Sequence, residues 1–538
     1  MNATLLPDPA TLDSMPPNSL AEGEIPSDVA RRLIGGTSAL GASVFIERGA
    51  GFLANILAAR LGGASTFGAY SLAITTANNI STYAAGGIGS TAARFSGKYP
   101  RGTPAYKTLT QVLLIVSLVS AALAALGLWF GAAPIARLLH KESLTTLLRW
   151  AALSAAGIIL LECARGFFVG QRRLAALLLL SLLVGIGMIS LIPYAATMHR
   201  PIRMIVSQGA ITTTAVLICI VLARPLGLLS IGPSLSSSFG PILREVWSFG
   251  VIQLAGLIGS NLAGWWLTTL VARADTTLVQ MSFFAIASQL RNIVALGPSL
   301  LTESSYAIMA DPENEESNTP HHIMALCTYG STVASLLLAS IGIVFVPWGL
   351  HLLYGVAYST AAVTTAVALA VAVIHMGNAP AAARLSIVSI RAAGIINTVW
   401  AVFVAAAATV FLLRHGSAQE AMTIYLAGHI LSSALVLLVL HKKDYLPTGM
   451  VFVFSFGGVT SIALAALAVL RDRLPGSSLV ITGIMLLIAI LSLAALFYIG
   501  RKHRWLPSAS VAQRLLSSAG FAMQNRLRPT RERRSHRA

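Results

Sequence analysis

Fourteen mostly apolar stretches follow one another along the chain, most of them about twenty or more residues long, as a helix needs to cross a bilayer. They run over Leu33–Ala59, Phe67–Ser90, Thr108–Gly131, Thr146–Gly170, Leu174–Met198, Met204–Ala223 and Val246–Ala272, then Val279–Ser305, Ile323–Leu350, Val356–Gly377, Ala392–Leu413, Ala421–Leu440, Met450–Leu470 and Leu479–Gly500. Hydrocarbon offers backbone groups no partner, so each must be satisfied within its own segment or in a closed barrel. Runs of this length without strict alternation select helices. At 56% hydrophobic and 10% charged over 538 residues, lipid is the solvent that accommodates the surface. The expectation is an all-α polytopic membrane protein of about 14 transmembrane helices. Pro380, Arg384 and Arg391 interrupt segments ten and eleven, which also parse with one or two spans fewer.

The formal charge of +18 is distributed as a topology signal, which speaks against a nucleic-acid partner. With the amino terminus inside, 24 of the 37 Lys and Arg fall on inward connections and tails, nine on outward connections and four within spans. Arg94, Lys98, Arg101 and Lys107 cluster in one inward loop. This places both termini in the cytoplasm. Residues 1–30 contain Pro7, Pro9, Pro16, Pro17 and Pro26 and read as a disordered tail. Residues 224–245 read as a cytoplasmic linker between spans 1–6 (31–223) and spans 7–12 (246–440), with spans 13–14 in 441–500. In the basic tail 501–538, Val511, Leu515, Leu516, Ala519 and Met523 share a helix face suited to anionic headgroups.

Cys163, Cys219 and Cys327 sit inside apolar runs without metal-ligand spacing, so neither disulfide, metal site nor cofactor is expected. The outward connections are short, and the one at Leu61–Thr66 has no carboxylate, which disfavours a membrane-embedded sugar or lipid transferase. No Gly-x4-Gly-Lys-Ser/Thr loop is present, so no nucleotide-hydrolysing engine is recognisable. At an offset of 213, Leu57, Ala59, Arg60, Asn79 and Ile80 match Leu270, Ala272, Arg273, Asn292 and Ile293. The match suggests that span one corresponds to span seven and that the molecule has two lobes.

The stretch Ala58-Ala59-Arg60-Leu61-Gly62-Gly63-Ala64-Ser65-Thr66-Phe67-Gly68-Ala69-Tyr70 resembles the first outward turn of polysaccharide flippases. These are the O-antigen and exopolysaccharide exporters of the multidrug/oligosaccharidyl-lipid/polysaccharide superfamily. The agreement extends through spans one and two, with a looser echo around Gln289–Pro298. The resemblance implies two six-helix lobes around a cavity that opens alternately to each side, with two extra helices outside them. It also implies a cargo of oligosaccharide units joined by pyrophosphate to undecaprenol. A multidrug exporter of the same superfamily is the alternative.

Charges inside a membrane usually face a cavity or a partner, since an Arg at mid-helix costs about 2.5–3.5 kcal/mol on insertion scales. Arg48 and Arg291 lie midway along spans one and eight, one in each lobe, and their forked donors suit a pyrophosphate. The bland reading neutralises each by a neighbouring acid or by helix carbonyls, and Glu47 beside Arg48 is the obvious candidate although it points about 100° away around the helix. Asn78 and Asn79 align with Arg291 and Asn292 in the repeat. Such amides either bond sugar hydroxyls or glue helices together. Glu162 and Arg165, three apart, read as a self-neutralising pair. Glu47, Glu303 and His375, the last placed near the inward end of span ten, are the protonatable groups available for ion coupling. Pro298 either hinges or statically kinks span eight. Expected partners are the lipid-linked oligosaccharide and membrane lipids, with the polysaccharide polymerase and chain-length machinery as a sharper possibility.

Overall fold

A computed structural model describes residues 27–223, 239–311, 319–503 and 505. The proline-rich start, most of the linker and the amphipathic pattern of the basic tail lie outside the described residues. The described chain contains fourteen long helices and one short one: α1 Ser27–Gly62, α2 Ala64–Ala85, the short α3 Ile88–Lys98, α4 Pro104–Leu138, α5 Thr145–Gly170, α6 Leu174–Ala196 and α7 Pro201–Ala223, followed by α8 Phe239–Ala274, α9 Val279–Met309, α10 Thr319–Tyr354, α11 Ala362–Val388, α12 Ile390–His415, α13 Ala418–Lys442, α14 Met450–Arg473 and α15 Ser478–Lys502. Eleven helices are long and apolar enough to cross a membrane by length and composition; α2, α8 and α9 are not among them. α2 carries Ser, Thr and Asn along much of its length and packs against α8 and α9 instead of standing apart in lipid.

Local chemistry sets the ends of these helices. Thr103 accepts a hydrogen bond from the Tyr106 amide and precedes Pro104, which starts α4 with no amide to leave unpaired. Ser417 and Glu420 form a reciprocal capping box at α13. Between α2 and α3 the backbone turns through Gly86 (φ 52°) and Gly87 (φ 70°), a conformation that costs little only without a Cβ. Pro380, which seemed to interrupt the tenth segment, lies inside α11, and the helix runs on to Val388. Arg384 is buried on it and donates to the Met309 carbonyl at 3.0 Å.

The packing of the first half recurs in the second. α1 packs on α6 as α8 packs on α12, and α5 touches α2, α4 and α7 as α11 touches α9, α10 and α13. The 213-residue offset carries Ser27–Gly62 to 240–275 (27 + 213, 62 + 213), one residue from α8. The repeat seen in five side chains is therefore a repeat of helices. α14 packs on α10 and α11, and α15 on α14 and α10, outside this pattern. Alternation of fourteen long helices leaves the start of α1 and the end of α15 on one side, called here the tail side; the opposite side is the loop side. Small residues bring helices together without a water-driven force. A Cβ on Gly166 of α5 would lie 1.9 Å from the Gly89 carbonyl oxygen of α3.

Candidate functional site

In the first half, Glu47 projects from α1 toward α5, where Arg165 binds both it and Glu162. The expected Glu162–Arg165 pair is thus one side of a three-residue ion cluster, and Glu47 is engaged there instead of beside Arg48. Arg48 itself is exposed and has no ion pair among the described residues. Seven residues before it, a Cβ on Gly41 would sit 3.5 Å from Leu300 of α9. Seven residues are almost two full turns, so Arg48 lies on the α1 face directed toward the second half. Asn78 is exposed, while Asn79 donates to the Thr75 carbonyl at 2.9 Å within its own helix.

In the second half, the Arg291 guanidinium lies 4.8 Å from the Tyr425 ring centroid and donates to Asn292 Oδ1 at 3.3 Å. Tyr425 is 4.9 Å from His429 by ring centroids, His429 is 4.6 Å from His375, and Trp400 is 5.5 Å from both Tyr425 and His429. The rings come from α11, α12 and α13. His375 stands thirteen residues from either end of α11, in mid-helix, because the helix continues past Pro380; the expected position near a span end is corrected. Gln289, two residues before Arg291, donates to the Phe52 carbonyl of α1 at 3.2 Å. Two residues rotate the helix by about 200°, so the Gln289 face meets the first half while Arg291 turns toward α13. Glu303 is exposed and forms no ion pair among the described residues.

Arg291 and His375 therefore belong to one neighbourhood, and Arg48 lies on another wall. His429, Tyr425 and Trp400 went unnoticed in the sequence. A histidine within an apolar span was the available signal for His429; nothing local marks the two aromatics.

The halves touch at both sides. On the tail side, α3 meets α8: Lys98 and Tyr99 bind Glu245, Arg94 lies 4.6 Å from the Phe249 ring centroid, and Phe95 meets that ring edge-on. Outside the spans, this hydrogen bond from Lys98 holds the Glu245 carboxyl below its ordinary range. On the loop side, Tyr358 donates to the Ala59 carbonyl at 3.1 Å and Arg60 to the Leu352 carbonyl at 2.8 Å. A cavity of about 440 Å³ opens beside Tyr99, Arg101, Gln171 and Arg172, at the tail-side end of α5 and not between Arg48 and Arg291.

Residues 33–301, half of the chain, match the model of a family described as polysaccharide biosynthesis protein. The chain belongs to this family. No curated protein matches it significantly. Among solved structures it is similar to the lipid II flippase MurJ in an inward closed conformation, at 14% identity and a TM-score of 0.61, covering 86% of this chain and 99% of that one. It is also similar to a multidrug resistance MATE family transporter of the MOP superfamily in its inward-facing conformation (13% identity, TM-score 0.56, 81% and 98% covered). The corresponding values for the outward-facing conformation are 12%, 0.51, 83% and 99%. At such identities the likeness shows a shared fold.

Within this family member, the motif that carried the resemblance has a packing role. A Cβ on Gly68 would lie 1.9 Å from the Leu278 carbonyl, at the turn between α8 and α9. Phe67 is buried, and buried Tyr70 donates to Gln208 at 3.3 Å. The Phe-Gly-x-Tyr pattern thus joins the two halves on the loop side and does not itself offer groups to a ligand.

Proposed function

We propose that this protein is a flippase that moves undecaprenyl-pyrophosphate-linked oligosaccharide repeat units from the cytoplasmic to the periplasmic leaflet for surface polysaccharide biosynthesis. The observation that carries the reading is a pair of guanidinium groups, Arg48 and Arg291, at similar depth in the two halves and without a carboxylate partner among the described residues. Arg48 is fourteen residues from the loop-side end of α1, and Arg291 is twelve from the loop-side end of α9. The acids closest in sequence to Arg48 and Arg165 are consumed by Arg165, which leaves the central cationic character unopposed. A dianionic pyrophosphate suits guanidinium groups without carboxylate partners; a cationic drug does not.

On this reading the tail side is cytoplasmic, in line with the bias of Lys and Arg, and the membrane is the bacterial inner membrane. The seam of α3 on α8 and the seam around Tyr358 act as alternate gates. Asn78, Asn79 and Asn292 offer amides to the sugar. The chain does no covalent chemistry and hands its cargo to a polymerase on the far side. A deletion strain analysed for lipid-linked sugar with sidedness tests this: complete repeat units should accumulate in the inner leaflet. Arg48→Ala and Arg291→Ala should each lower surface polysaccharide by roughly tenfold or more, as expected for loss of a charged hydrogen-bond donor, with protein still in the membrane. The Lys variants should recover part. Full output from both Ala variants would remove the two arginines as the pyrophosphate-binding groups.

A further inference from the structure

α11 is the most enclosed helix of the second half, packed by α9, α10, α12, α13 and α14. Every residue from Ala362 to Ile374 is buried, yet His375 is exposed. A side chain at the middle of a helix surrounded by five others reaches open space only inside the bundle. That space continues toward the tail side, because Ala379, Ala382 and Ser386 on the same helix face are all partly exposed. His429 and Tyr425 on α13 and Arg291 on α9 are partly exposed beside it. His375, His429 and Arg291 lie thirteen, eleven and twelve residues from the loop-side ends of their helices, at one depth.

We propose that His375, His429 and Arg291 form a proton-linked diphosphate site, in which the bound diphosphate and a proton on the imidazole pair stabilise each other. The inference rests on the diphosphate-cargo reading and names how protonation tunes the binding of that cargo. Two imidazolium rings 4.6 Å apart and a guanidinium beside them repel one another. A dianion placed among them offsets that repulsion, so a proton is taken up when the diphosphate binds and given back when it dissociates. Reciprocity follows from linkage: whatever factor the proton adds to diphosphate affinity, the diphosphate adds to proton affinity.

The surrounding charges leave this role to Arg291. Glu303 of α9 stands twelve residues from Arg291, about 18 Å along the helix, while Arg384 of α11 and Glu420 of α13 stand nine residues from the two histidines. Arg384 points to the Met309 carbonyl and Glu420 caps its own helix. The charged residues of α8, α10, α12 and α14 lie within two turns of the helix ends. Tyr425 lies against the guanidinium, and Trp400 packs beside both Tyr425 and His429.

The test uses the full-length protein in nanodiscs and farnesyl-diphospho-N-acetylglucosamine, a diester whose charge is constant between pH 6 and 8. One linked proton makes affinity rise by up to about tenfold per pH unit as pH falls. The wild type should approach that slope, and His375→Gln/His429→Gln should lose it; the slope, not the absolute affinity, is the readout. Should the double variant fail to fold, proton uptake by the wild type decides, with up to about one proton taken up per diphosphate bound near neutral pH. Binding without pH dependence, a slope retained in the double variant, or binding without proton uptake overturns the proposal and leaves the cargo reading standing. No binding at any pH removes the cargo reading and this inference with it.

Discussion

Arg165 holds two carboxylates from different helices, and its removal leaves Glu47 and Glu162 facing each other without a cation. Arg165→Met should destabilise the protein by about 1–3 kcal/mol, the scale of a hydrogen bond to a charged group, because the cluster is partly solvated. Adding Glu47→Gln should return part of the loss; thermal unfolding of the purified protein checks both. Gly68→Ala should cost about 1–3 kcal/mol by overpacking against the Leu278 carbonyl, read by the same melt. How far these residues were legible depended on range. Glu162 and Arg165 are one helical turn apart, so their pairing follows from helix geometry alone. Glu47, the obvious sequence neighbour for Arg48 despite its offset of about 100° around α1, is taken by Arg165 of another helix, a contact that no local pattern encodes. The Arg291–Tyr425 contact spans 134 residues of sequence, and no local pattern encodes it.

At the scale of elements, apolar length carried the reading, since each long segment overlaps one long helix, although Phe67–Ser90 runs through the Gly86–Gly87 turn into α3 and Val356–Gly377 begins ahead of α11. α3 escaped notice because eleven residues with Arg94 and Lys98 among them resemble a basic loop, although their apolar positions Ile88, Ala92 and Phe95 share a face. α11 was cut short at Gly377 because proline weighs heavily in sequence, whereas in a packed bundle neighbouring helices stabilise it. α3 has consequences of its own: its Lys98 ties it to Glu245 of α8. Lys98→Glu should weaken this seam and expose Thr91, which is buried beneath it, to a thiol reagent when replaced by Cys. Combining Lys98→Glu with Glu245→Lys should restore protection. A double swap as accessible as the single variant would show that the charge pair does not hold the seam.

For the whole molecule, the offset of 213 residues was readable as a faint repeat, while its functional asymmetry was not. Arg291 corresponds to Asn78 under that offset, and Arg48 to Asn261, so the two cations are not copies of one ancestral position. Each half contributes its cation from a different helix. Alternating access requires such halves to separate on one side while meeting on the other, and in the tail-side seam Gly86 and Gly250 face each other closely: a Cβ on either would lie 3.2 Å from the other's carbonyl oxygen. A Cβ on Gly250 would also stand 3.9 Å from Thr91 Oγ1, so Thr91→Cys with Gly250→Cys can close a disulfide with little movement. The native Cys163, Cys219 and Cys327 are buried and do not compete. Oxidation of the pair should stop polysaccharide output, and reduction should restore it, since a linked seam cannot admit cargo from the tail side. Output that persists in fully linked protein would mean that cargo enters by another path, and the halves would then have no need to part at α3 and α8.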